Sequence, residues 1–216
     1  SGTYTGPTAQ SDGGWLATFN DANNGSDIGY SVAKDGSGNV YTAGSFYNGS
    51  NADIAVRKYN ASGSIQWTKY YNSPANSDDE GYGIAVDTIA GNVYVTGYEN
   101  RADLSQGKNI MVRKYDTNGL ILRTTTYNGS TNADDVCISI TVDGSSNVYV
   151  TGYADSPANV QLFVRKYDVN GNVAWTQTYR PTYPAQGFGI SVDGSGNAYV
   201  TGYEQPNLSD LSDILI

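Results

Sequence analysis

The sequence has no histidine and a single cysteine, Cys137, in 216 residues. Without histidine there is no His-based triad, no imidazole metal ligand and no histidine pH switch. With one cysteine there is no disulfide framework, and a lone thiol in a run that reads as a strand is expected to be a small core residue. Charge is also scarce, at 15% of residues, and its balance is −9. A nucleic-acid partner needs clustered cations. Here six of the 12 Lys and Arg fall in three copies of one Arg-Lys dipeptide, so no basic patch is expected. No apolar run approaches a membrane span, and Ser1 does not open a signal peptide. The expected form is soluble, and the Tyr-rich, His-free, acidic composition fits an extracellular or cell-surface product.

What is abundant is Gly, with 26 residues, and Tyr, with 19. Aromatic and β-branched residues suit pleated strands, and Gly, Asn and Asp suit the turns between them. One stretch organises the rest: Gly91-Asn92-Val93-Tyr94-Val95-Thr96-Gly97-Tyr98. It recurs at 38–45, 146–153 and 196–203. The shared Asn positions Asn39, Asn92, Asn147 and Asn197 are 53, 55 and 50 residues apart. A repeat of that period decides the architecture before any residue is considered as chemistry.

Each unit reads as four strands. The first is 30–33, 82–86, 138–142 or 188–192, with small residues on one face and aliphatic or aromatic residues on the other. A turn such as Asp35-Gly36-Ser37-Gly38-Asn39 follows, and the repeated stretch is the second strand. After a loop of unequal length comes the third strand, which carries Arg57-Lys58-Tyr59, Arg113-Lys114-Tyr115 or Arg165-Lys166-Tyr167. The fourth is 67–71, 123–127 or 175–179, and Trp15–Phe19 is its first copy. Four antiparallel strands in a unit of this length mark a propeller blade. The expected fold is all-β: a Gly/Ser/Thr-rich arm at 1–14, then a propeller of four four-stranded blades at 15–216.

The ends suggest how the ring closes. The chain opens on a fourth strand and finishes on a third, Asp213–Ile216, so strands from both termini are expected to complete one blade. Two alternatives stand beside this. The same ends could pair between neighbouring chains in a ring or an open polymer, or the chain could be a fragment.

The run Gly81-Tyr82-Gly83-Ile84-Ala85-Val86-Asp87, then Gly91–Tyr98, then Val112-Arg113-Lys114-Tyr115-Asp116, with the Trp-Thr pairs at 67 and 175, resembles the bacterial and archaeal β-propeller repeats called SBBP repeats. The resemblance covers about residues 15–216. It implies a propeller of secreted or surface proteins and brings no catalytic residues, because the shared positions are strand and turn residues. One departure is that the family name implies seven blades, and four units are present.

Four groups of residues are candidates for chemistry. Asp27, Asp79 and Asp135 share one repeat position before the first strand, with Ala185 in the fourth unit. In a propeller they would gather at one channel mouth, where several carboxylates could hold Ca²⁺; the plain alternative is solvated loop acids. Otherwise no cofactor is expected. Tyr98, Tyr153 and Tyr203, at the edge of variable loops, are candidates for stacking on sugars. Arg-Lys-Tyr reads as structural, with each cation paired to a nearby carboxylate. Asn24, Asn48, Asn60, Asn128 and Asn207 stand in Asn-X-Ser sequons and are candidate glycosylation sites.

The functional expectation is a non-catalytic extracellular interaction or structural module. It would bind protein partners or copies of itself through terminal strands, up to a surface structure or filament. A lectin-like propeller that binds glycans is the alternative. A glycoside hydrolase using Asp79 and Asp135 as a carboxylate pair is the third reading.

Overall fold

The computed structural model describes residues 3–9, 14–20, 23–179, 182–205 and 213–215. Three four-stranded antiparallel sheets follow one another along the chain. The first holds β3 (Ile28–Lys34), β4 (Val40–Tyr47), β5 (Ala52–Tyr59) and β6 (Ile65–Tyr71). The second holds β7 (Glu80–Val86), β8 (Val93–Asn100), β9 (Lys108–Tyr115) and β10 (Ile121–Tyr127). The third holds β11 (Val136–Val142), β12 (Val148–Ala154), β13 (Gln161–Tyr167) and β14 (Val173–Tyr179). They are called here the 28–71, 80–127 and 136–179 sheets. The fourth unit is a 185–215 sheet of three strands: β15 (Ala185–Val192), β16 (Ala198–Glu204) and β17 (Asp213–Leu215).

The first strands lie innermost: consecutive sheets meet mainly through β3 and β7, β7 and β11, and β11 and β15. Apolar side chains fill the space between sheets. Tyr41, Ile54 and Val56 of the 28–71 sheet pack with Ile84, Val93, Val95 and Met111 of the next. Tyr94, Ile110 and Val112 pack in turn with Cys137, Val150 and Phe163. Cys137 is thus the core residue expected of it, and burial pushes its thiol pKa up to about 12.

The repeated stretch is the second strand of every sheet, and its glycine has a specific cause. In each first strand one residue drops out of register with the second: Tyr30, Tyr82, Ile138 or Phe188. This is a β-bulge, which kinks the strand and re-aims a side chain. The kink presses a backbone carbonyl, such as that of Glu80, onto Gly97, where a Cβ would overlap it. Gly44, Gly152 and Gly202 meet the same obstacle. The simple alternation expected of the first strand therefore fails at one residue per unit.

The ends differ from expectation. Trp15 does begin a strand, β2 (Trp15–Asn20), but it pairs with β1 (Thr3–Ala9), inside the segment expected to be an arm. β17 pairs with β16 through three residue pairs. The terminal strands therefore do not share a sheet, and the expected closure of the ring within the chain is corrected. The 185–215 sheet packs on the 136–179 sheet, and no comparable interface joins it to the 28–71 sheet among the described residues.

Candidate functional site

Two of the repeated acids, Asp79 and Asp135, are clamps between sheets. Asp79 is buried; its Oδ2 accepts the Ser73 N–H at 2.5 Å and its Oδ1 the Asn100 N–H at 2.8 Å. Ser73 follows the last strand of one sheet and Asn100 ends β8 of the next, so one carboxylate ties the two together. Asp135 repeats this with the amides of Gly129 and Asp155, the latter at 2.9 Å. Asp27 accepts the Tyr47 amide at 3.3 Å. In the fourth unit, where Ala185 replaces the acid, the equivalent Gln205 amide donates to the Pro184 carbonyl instead. Burial raises the pKa of Asp79 to about 6, against the lowering effect of its two amide bonds, and raises that of Asp135 as well. Among the described residues no group of three or more acidic or thiol side chains is placed to hold a metal ion. Asp79 and Asp135 are each bound up in their own junction, and Asp27 holds an amide of its own sheet, rather than being brought together at a mouth.

Among the described residues, no ion pair joins Arg113, Arg165 or the three Arg-Lys-Tyr lysines to a carboxylate. The Arg113 guanidinium lies 3.7 Å from the centre of the Tyr71 ring on the preceding sheet, while its Nε donates to Thr124 at 2.8 Å. Arg57 over Phe19 and Arg165 over Tyr127 repeat the stack at 4.2 and 4.1 Å. The lysines turn to the other face: Lys58 sits over Tyr41, Lys114 over Tyr94 and Lys166 over Tyr149. Expecting a carboxylate partner overlooked the aromatic ring that the neighbouring unit supplies to each arginine.

Tyr98 is buried, under the Lys108 ammonium at 4.2 Å and beside Tyr82, and cannot present a face to a sugar. Tyr153 and Tyr203 are half-buried. Of the sequons, Asn24 is exposed at a positive φ of 50°. Asn48 uses its amide nitrogen on Asn51 and Asp53, and that of Asn128 is held by Asn132. Asn60 folds its amide oxygen onto the amides of Ser62 and Ser64. Asn207 lies outside the described residues.

The surfaces that stand open are at the two ends. Ile84 and Ile140 are 6% and 8% exposed because the preceding sheet covers them, yet Val32 at the same position is 66% exposed. Tyr41 and Tyr94 are both 1% exposed under the following sheet, whereas the equivalent Tyr199 is 59% exposed. Only the outer part of the Val32 side is covered, where Trp15 packs on Tyr59 and Phe19 lies under Arg57. Between β2 and the 28–71 sheet this leaves a cavity of about 230 Å³, lined by residues that include Ala17, Phe19, Ile28, Thr42 and Arg57. It lies where the inner strands of a preceding sheet would pack. Sequence reasoning missed these faces because the residues are the same as in the covered units.

No curated protein matches the chain. Among solved structures it is similar to Sqt1 of Chaetomium thermophilum, solved bound to the N-terminus of the ribosomal protein L10. The identity is 12% and the TM-score 0.52, over 81% of this chain and 40% of that one. It is also similar to the β-propeller domain of the Trilobed protease from Pyrococcus furiosus, described as having an open velcro topology. There the identity is 6% and the TM-score 0.47, over 88% and 57% of the two chains. The chain thus spans less than two thirds of the length of either, and the likeness to Sqt1 shows the fold alone. Residues 66–100, 125–157 and 181–203 match the SBBP family, described as a β-propeller repeat. Each match runs from the end of one sheet into the second strand of the next, across the acid position and the bulge. Three stretches of the chain thus match the SBBP β-propeller repeat.

Proposed function

We propose that the protein is a non-catalytic interaction module that docks through the open faces of its terminal sheets, with a second copy of the chain as the partner. The carrying observation is the exposure of Val32 and Tyr199 at positions that every internal junction covers, fully or in part. The two faces are the two halves of one interface: inside the molecule, the side that bears Tyr41 or Tyr94 receives the side that bears Ile84 or Ile140. Head-to-tail docking would repeat that packing. It would also set β15 and β16 of one copy beside β1 and β2 of the next, with β1 as third strand in place of the short β17. A head-to-tail interface closes into a ring or grows into a filament. Sqt1, of similar fold, is bound to a segment of another protein, so a protein segment seated on the same faces is the related reading. The composition supports an extracellular or surface setting, and among the described residues no helix is long and apolar enough to cross a membrane.

Light scattering over a hundredfold range of protein concentration tests the proposal. The expected result is a mass that rises with concentration and falls back on Val32→Glu substitution. A single monomeric mass throughout contradicts it.

A further inference from the structure

The bulge of each first strand turns one large side chain toward the same space. Tyr30, Tyr82, Ile138 and Phe188 come from four different sheets, and all four line one cavity of about 330 Å³ between the inner strands. Its floor is small or aliphatic, with Ser31, Gly83 and Ser139. Tyr30 and Tyr82 meet edge to face, their ring centres 4.8 Å apart and their planes at 71°. Two rings at that angle form a corner, and the exposed Phe188 ring supplies a further apolar wall.

One charge stands behind the corner. The Tyr30 hydroxyl donates to Glu80 Oε2 at 2.9 Å. Among the described residues no lysine or arginine forms an ion pair with Glu80. A carboxylate bonded to a tyrosine hydroxyl makes the ring more electron-rich, and an aromatic face with a negative charge nearby attracts a cation. The protein already uses this chemistry next door, where the Lys108 ammonium rests on the Tyr98 ring. The net charge of −9 adds a field of the same sign. An anion would be repelled by the carboxylate, and a neutral sugar brings no net charge to meet it.

We infer that the Tyr30–Tyr82–Phe188 cavity is a binding site for a small organic cation of the alkylammonium or quaternary ammonium class, with Glu80 as its counter-charge. The site lies among the inner strands, away from the open terminal faces, so it does not rest on self-association.

Calorimetric titration of the full chain with choline tests this, with 3,3-dimethyl-1-butanol as a neutral isostere of the same shape and glucose as a sugar control. Choline is expected to bind, on the order of tenfold more tightly than the isostere. Glu80→Gln, which keeps the size and the hydrogen bond to Tyr30, is expected to remove most of that difference. Phe188→Leu, at an exposed position, is expected to weaken choline without affecting the melting temperature. Equal binding of choline and the isostere, glucose binding without choline binding, or no binding to the folded protein would each overturn the inference. A Glu80→Gln protein that melts normally and binds choline as before would do so too.

Discussion

Asp87 Oδ2 and Tyr94 Oη are both buried without a hydrogen-bond partner, although the same two positions bond to each other in the other three units. Asp35 accepts from the Tyr41 hydroxyl at 3.1 Å, Asp143 from Tyr149 at 3.0 Å and Asp193 from Tyr199 at 3.1 Å. The difference is one residue of turn. Asp35–Asn39, Asp143–Asn147 and Asp193–Asn197 span five residues, and Asp87–Asn92 spans six. The longer turn bonds Asp87 Oδ1 to the amides of Ile89 and Ala90 and leaves the other oxygen stranded.

Replacing Thr88–Gly91 by the Gly-Ser-Gly of the 35–39 turn should therefore stabilise the protein. Two buried groups gain a partner at once, worth about 1–3 kcal/mol. Urea unfolding should show a higher midpoint with an unchanged slope; a lower midpoint would mean that the longer turn has packing of its own to lose.

Asp79 makes stability depend on pH. Its carboxyl group in the folded chain has a pKa of about 6, above the usual aspartate range of about 4. Between those two values the folded state holds more protons than the unfolded state, so stability falls as pH rises from about 4 to about 6 and then levels off. Asp135 shifts in the same direction and adds to the slope. The Asp79→Asn protein should show a flatter profile in that window by thermal melts at fixed ionic strength. An unchanged profile would assign the titration elsewhere.

Arg113→Lys tests the inter-sheet stack. Lysine keeps the charge but loses the planar contact with Tyr71 and the Nε bond to Thr124, so about 1–2 kcal/mol should be lost. Equilibrium unfolding of the two proteins measures the difference, and no difference would reduce the repeated Arg to a surface charge.

Much of the fold was legible because its signal is repetition. The second strand, the hairpin turn and the Arg-Lys-Tyr strand recur with the same residues, and each falls where that pattern placed it. The candidate sites were less legible. Asp79 and Asp135 share a repeat position, which looks the same whether the carboxylates meet at a mouth or serve separate junctions; only the amides of Ser73, Asn100, Gly129 and Asp155 decide it. The bulge at Tyr82 was hidden because a large residue between two small ones fits plain alternation. Its signal was the pairing of Gly81 with Gly97, two glycines face to face on adjacent strands. The exposure of Val32 and Tyr199 has no local sequence signature, since neighbours rather than neighbouring residues set it.

The most direct measurement of the central claim is sedimentation velocity on three samples: Val32→Glu alone, Tyr199→Glu alone, and the two mixed. Each substitution puts a charge on one half of the interface and leaves the other half intact, and both positions are exposed, so folding should survive. The account predicts that each variant alone is monomeric and that the mixture forms dimers and nothing larger. Oligomers in either single variant, or a mixture that stays monomeric while the unaltered protein assembles, would contradict it.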